Sequence, residues 1–151
     1  MSRFTGELTL THLDLDWRIW RLESTLIYEI GDEGSGRVIE VKPPFYTDGA
    51  SIPRIFWGVL PPWGQYSRAA IVHDYLGYLA AKNEPHPEAP DQRTADGIFY
   101  EAMEVSEVGV VVRFLLWSAV RLADHFPWLR TLGVHSPGEL IEEPGTHPER
   151  A

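Results

Sequence analysis

The chain has 151 residues, of which 44% are hydrophobic and 23% charged, and this balance predicts one globular domain large enough to bury a core. A formal net charge of -9 argues against broad nucleic-acid binding, which requires a basic face, so no nucleic-acid partner is expected. Because the sequence contains no cysteine, it excludes a disulfide framework, a thiolate zinc site and a cysteine nucleophile.

The first fifty residues are predicted to form strands. Segments 25–30 and 37–41 are rich in β-branched and aromatic side chains. The glycine-rich link 31–36 between them suits a hairpin. An earlier strand is expected within 17–22, and a pair of prolines ends the last strand because proline cannot donate to a sheet ladder.

From Pro53 onward the pattern becomes helical. Four helices are predicted, at residues 53–60, 67–81, 92–105 and 108–124. Ser67 is the expected N-cap of the second helix, and the fourth is expected to be central because it is apolar over most of its circumference. Segregated strands and helices predict an α+β fold, in which a small N-terminal antiparallel sheet packs against three or four C-terminal helices.

Residues 1–135 are expected to form this single α+β domain, with 136–151 as a mobile or surface-draped tail. No signal peptide is expected, because residues 1–10 lack an apolar stretch. The most apolar segment, 108–120, contains Arg113 and is shorter than the roughly 20 residues that span a bilayer, so no membrane span is expected.

Two polar residues begin the candidate site. Asp48 precedes a glycine, which is typical of a tight turn, and Ser51 stands just before the helix predicted at 53–60. Each therefore has an ordinary explanation, as a turn former and as a helix cap. Their interest comes from the polar pair predicted in the next helix.

His73 and Asp74 lie inside that next helix, among apolar neighbours. Adjacent helical residues point about 100° apart, so they suit a single ion only at a crevice between helices. The alternative is a core histidine bonded to a backbone carbonyl, with Asp74 as its orienting partner or as a cap for the Asp48 loop. Asp96 flanks the apolar stripe of the third helix and needs a partner, for which the candidates are His73, a metal or one of three arginines, namely Arg54, Arg68 and Arg93.

Three motifs together resemble an uncharacterised family of phage and prophage proteins, domain of unknown function 1353. They are T-D-G-A-S-I-P-R at 47–54, the segment ending in H-D-Y-L at 69–76, and A-D followed by spaced apolar residues at 95–103. The resemblance implies a phage or prophage origin, a location in the host cytoplasm or the virion, and other phage proteins as partners. It implies no established activity. It marks five signature polar positions, namely Asp48, Ser51, His73, Asp74 and Asp96.

The favoured functional hypothesis is a metal-assisted hydrolase of phage origin, with the cell wall as a conceivable substrate. His73, Asp74 and Asp48 would be ligands or acid–base groups, and Asp96 would be a ligand or the partner of one. A histidine with carboxylates suits Zn²⁺, Mn²⁺ or Fe²⁺, and an open coordination position would activate water. In a metal-free variant, Ser51 is the nucleophile, Asp74 orients His73 as its general base, and the amides of Gly49 and Ala50 are the oxyanion donors.

The second hypothesis is a non-enzymatic virion component or assembly factor. In it, Asp48 and Ser51 bond the backbone of their loop, and His73 and Asp74 tie that loop to the second helix. Asp96 closes the network. Buried polar networks of this kind fix one arrangement of a core.

Overall fold

The computed structural model describes residues 1–12, 20–47 and 64–126. Strands occupy the N-terminal half of these ranges and helices the C-terminal half, which confirms the α+β prediction. The strands are β1 (Arg3–Thr5), β2 (Leu10–His12), β3 (Trp20–Leu22), β4 (Leu26–Glu29), β5 (Val38–Val41) and β6 (Phe45–Thr47). The helices are α1 (Ser67–Ala81), α2 (Gln92–Val105) and α3 (Val110–His125).

The strands form two antiparallel sheets, where the sequence had predicted one. The first has the order β1-β4-β5 and the second the order β2-β3-β6. The predicted hairpin is present as β4 and β5, with Leu26 opposite Val41 and Tyr28 opposite Ile39. All four of these side chains are fully buried, so the alternation along both strands directs one face into the core.

Helices α1 and α2 have the bounds that the sequence predicts. The predicted N-cap of α1 is wrong, because the cap residue is Tyr66 and it makes no side-chain capping bond. Ser67 is already helical, and its Oγ accepts a hydrogen bond from the Gly64 N–H at 2.9 Å. The Ser67 hydroxyl therefore bonds the segment that precedes the helix, and it does not cap an N–H of the first helical turn.

The predicted central position of α3 is also wrong. The helix buries Leu116, but Val110, Val111 and Phe114 are 61%, 68% and 57% exposed. It packs against α2 along one side, so an apolar circumference does not place it inside the core. Within the part of the chain that the structure describes, no helix is long and apolar enough to cross a membrane.

Several sequence predictions lie outside the described residues. These are the helix at 53–60, the first part of the strand at 17–22, and the tail at 136–151. They stay predictions, as does the domain limit at 135.

The N-cap of α2 leads to a prediction about acid stability. Asp91 accepts hydrogen bonds from the Thr94 N–H at 2.7 Å and the Thr94 hydroxyl at 2.8 Å, and these bonds lower the pKa of the Asp91 carboxyl. A lowered folded-state pKa contributes stability above the ordinary value, and that stability is lost as pH falls through the folded-state pKa.

Asn at position 91 caps a helix without titrating. When the pH falls from neutral to below 3.8, the ordinary pKa of aspartate, Asp91→Asn is therefore expected to lose less stability than the wild type does. Thermal melts across this range measure the difference. Parallel pH curves for the two proteins would contradict the expectation.

Candidate functional site

The centre of the candidate site is a buried histidine–aspartate pair between two helices. His73 of α1 and Asp96 of α2 are 4% and 1% exposed, and Nε2 of His73 lies 2.9 Å from Oδ1 of Asp96. In the tautomer that carries its hydrogen on Nε2, the imidazole donates to the Asp96 carboxylate, and Nδ1 is the ring nitrogen with a lone pair.

One face of α2 provides the contacts of His73. Gln92, Asp96 and Phe99 follow one another at spacings of four and three residues, which places them on one helix face. Gln92 Nε2 donates to Asp96 Oδ1 at 2.9 Å. The Phe99 ring packs against the imidazole of His73, with ring centroids 4.8 Å apart. The sequence of α2 therefore supplies the acceptor, a second donor and an apolar wall.

The other oxygen of Asp96 faces α3. Arg121 Nη1 lies 3.5 Å from Oδ2 of Asp96, and the guanidinium carbon lies 5.7 Å from the centroid of the Trp117 ring. Arg121 is about one third exposed, so this is a long ion pair that water partly screens. Both oxygens of Asp96 nevertheless have donors within the protein.

Asp74 takes part in a second, separate contact. The hydroxyl of Thr47, the last residue of β6, donates to Asp74 Oδ2 at 2.7 Å. Both residues are buried, at 3% and 6% exposure. Because His73 and Asp74 are adjacent on α1, one side chain meets α2 and the other meets the sheet. The carboxylate bonded to His73 is that of Asp96, whereas Asp74 bonds Thr47.

The predicted metal set is only partly visible. Within residues 1–12, 20–47 and 64–126, no three His, Asp or Glu side chains are close enough to hold one ion. Asp48 and Ser51 lie outside the described residues, so the structure does not locate them. The structure brings His73 and Asp96 together. A site that also uses Asp48 stays a prediction.

Three partners in these contacts were missed by the sequence analysis. Gln92 had a signal, since it precedes Asp96 by four residues on the same helix. Thr47 stands beside Asp48 in the first motif, although its hydroxyl gives no sign of its partner. No sequence signal pointed to Arg121, which lies on α3 near Asp96. The sequence candidates within the described residues were Arg68 and Arg93.

Known proteins resemble this chain at the level of a family. No curated protein matches it, and no solved structure matches it. The family model described as Protein of unknown function (DUF1353) matches residues 20–120, which is more than half of the chain. The match spans β3 to α3 and includes all five signature positions.

Proposed function

Because the chain belongs to the family Protein of unknown function (DUF1353), as its motifs predict, we propose that it is a non-enzymatic virion component or assembly factor of phage type. In this proposal the signature residues form a structural polar network. The observation that carries it is the buried bond from His73 to Asp96, which Gln92 reinforces. The phage assignment rests on the resemblance of the three motifs.

The hydrogen bonds of the carboxylates favour a structural role. Asp96 Oδ1 accepts two hydrogen bonds of 2.9 Å, and Asp74 Oδ2 accepts one of 2.7 Å. A metal ligand or a general base must offer a lone pair to its ion or substrate, and internal donors compete for those lone pairs. Satisfied buried carboxylates are instead what a fixed core requires.

The network also connects distant parts of the chain. Thr47 joins the end of β6 to α1, His73 joins α1 to α2, and Arg121 extends the contact to α3. Such bonds penalise any arrangement that leaves a buried donor or acceptor unpaired. A protein whose task is to present one fixed surface to assembly partners benefits from this constraint.

Asp74→Asn tests the structural role. The change replaces one of the two acceptor oxygens of a buried carboxylate with a donor, so the free energy of unfolding is expected to fall by about 1–3 kcal/mol. Thr47→Val removes the matching hydroxyl and should show a loss of the same sign. Urea denaturation measures both variants, with Asp32→Asn as the exposed control.

Plaque formation by the phage that carries the gene supplies the second measurement. If the residues are structural, a variant loses infectivity only when it also loses stability. Unchanged unfolding of Asp74→Asn together with lost infectivity would overturn the proposal.

A metal-assisted hydrolase is the second candidate, and the geometry of His73 favours it. A carboxylate that accepts from one ring nitrogen orients the imidazole and raises the basicity of the other nitrogen. In this proposal Nδ1 of His73 and the carboxylate of Asp48 would hold Zn²⁺, Mn²⁺ or Fe²⁺, and the ion would supply an activated water for hydrolysis of a cell-wall bond. In the metal-free form of the hydrolase proposal, Ser51 is the nucleophile.

Metal analysis distinguishes this candidate from the first. Purified wild-type protein at near-neutral pH should hold about one divalent metal ion per chain, as a mononuclear site requires. His73→Ala should hold none, and Gln92→Ala, which keeps both proposed protein ligands, should still hold the ion. Elemental analysis before and after incubation with each metal gives the result. A wild-type protein that binds none of the three metals would exclude the mechanism.

A further inference from the structure

An aromatic groove lies between β5, β6 and α1, apart from the polar network. It encloses about 610 Å³, and its aromatic lining includes Tyr46, Tyr75 and Tyr78. Phe45 lies in its floor at 4% exposure and meets the rings of Tyr75 and Tyr78 edge-on, with centroids 5.6 and 6.1 Å away. The buried phenylalanine therefore holds two half-buried tyrosine rings in place.

The polar groups of the groove balance one another in charge. Glu40 of β5 and Lys42, the residue after the strand, are both exposed, with Nζ of Lys42 3.5 Å from Oε2 of Glu40. Burial lowers the pKa of His86, which favours its neutral form near neutral pH. The lining offers hydrogen-bond donors and acceptors with little net charge.

We propose that this groove binds a short neutral oligosaccharide. Sugar rings present C–H faces that pack on aromatic rings, and their hydroxyl groups both donate and accept hydrogen bonds. Small-molecule sites have volumes of about 300–1,000 Å³ and combine aromatic walls with a few polar groups. The groove has this size and this lining.

The charge balance of the groove argues against a charged peptide as the occupant. Val38 and Glu40 of β5 and Lys42, the residue after the strand, alternate in the sequence and line the groove together. The paired charges of Glu40 and Lys42 give no strong attraction to an acidic or a basic segment.

Titration with neutral trisaccharides tests the proposal. Cellotriose, maltotriose and N,N′,N″-triacetylchitotriose are added separately to the full chain, and nuclear magnetic resonance follows the tyrosine rings. At least one sugar should cause saturable shifts at Tyr46, Tyr75 and Tyr78 in the millimolar range. The absence of such shifts with all three sugars at tens of millimolar would overturn the proposal. Binding of short acidic or basic peptides in their place would overturn it as well.

Two variants locate the site. Tyr75→Ala removes one ring and should weaken binding about three- to tenfold, the range expected for one aromatic contact. Lys42→Met removes an exposed donor, and it keeps the test valid if the tyrosine variant does not fold. Phe114→Ala removes an exposed ring on α3, outside the groove, and should bind as the wild type does. Wild-type affinity in the folded groove variants would overturn the assignment.

Discussion

Asp96→Ala is expected to lower the free energy of unfolding by about 3–5 kcal/mol, the cost of breaking a buried polar pair by removing one partner. The side chain is 1% exposed, and its loss leaves the His73 N–H and the Gln92 amide without their acceptor. The cavity left by the side chain adds to the cost. Urea denaturation followed by circular dichroism measures the change.

A matched control and a double variant identify the cause of that loss. Asp32→Ala removes a fully exposed carboxylate and should leave the unfolding midpoint unchanged. The double variant His73→Leu with Asp96→Leu should recover part of the loss, since replacing both partners with apolar groups leaves fewer polar atoms unpaired. If Asp96→Ala unfolds at the same urea concentration as the control, the pair has no structural role.

Ile71→Ala is expected to lower the free energy of unfolding by about 2–5 kcal/mol, because it creates a cavity in the core. Ile71 is fully buried in α1, two residues before the histidine of the network. The smaller change Ile71→Val should cost about 0.5–1.5 kcal/mol. The same denaturation measurement applies to both variants.

Val111→Ala provides the comparison for this core substitution. Val111 is 68% exposed on α3, so its truncation should change stability by less than about 0.5 kcal/mol. Equal losses at positions 71 and 111 would contradict the packing of α1 described above. A larger loss at Asp96 than at Ile71 would show that the polar pair contributes more to stability than an ordinary core residue does.

The two helices that the sequence located correctly have clear boundary signals. Asp91 provides a capping side chain immediately before α2, and Asn83 adopts a φ of 59° just beyond α1. The hairpin of β4 and β5 was located by its glycine-rich link. By contrast, β1, β2 and β6 have three residues each, which is too short for a period of two to stand out. Their pairing depends on residues far along the chain.

The sequence predicted which residues belong to the candidate site better than it predicted the hydrogen bonds that they make. The sequence named His73 as one partner of Asp96, and the structure contains that pair. It could not choose between Asp74 and Asp96 as the carboxylate beside the imidazole, because that choice depends on how α1 is rotated against its neighbours. The prediction for α3 failed for a similar reason. Side-chain polarity shows which faces can be buried, but it does not show which face another element covers.

The two sheets have a consequence for the order in which the chain folds. The first twelve residues supply one outer strand to each sheet, with Arg3 of β1 opposite Glu29 and Leu10 of β2 opposite Leu22. The second sheet also needs β6, where Thr47 lies opposite Trp20 of β3. Closing these long loops costs chain entropy before the strand contacts that offset this cost have formed, whereas helical turns form from neighbouring residues. During synthesis the second sheet cannot be completed until Thr47 has left the ribosome. The helices should therefore form quickly, and the docking of the outer strands should limit the folding rate.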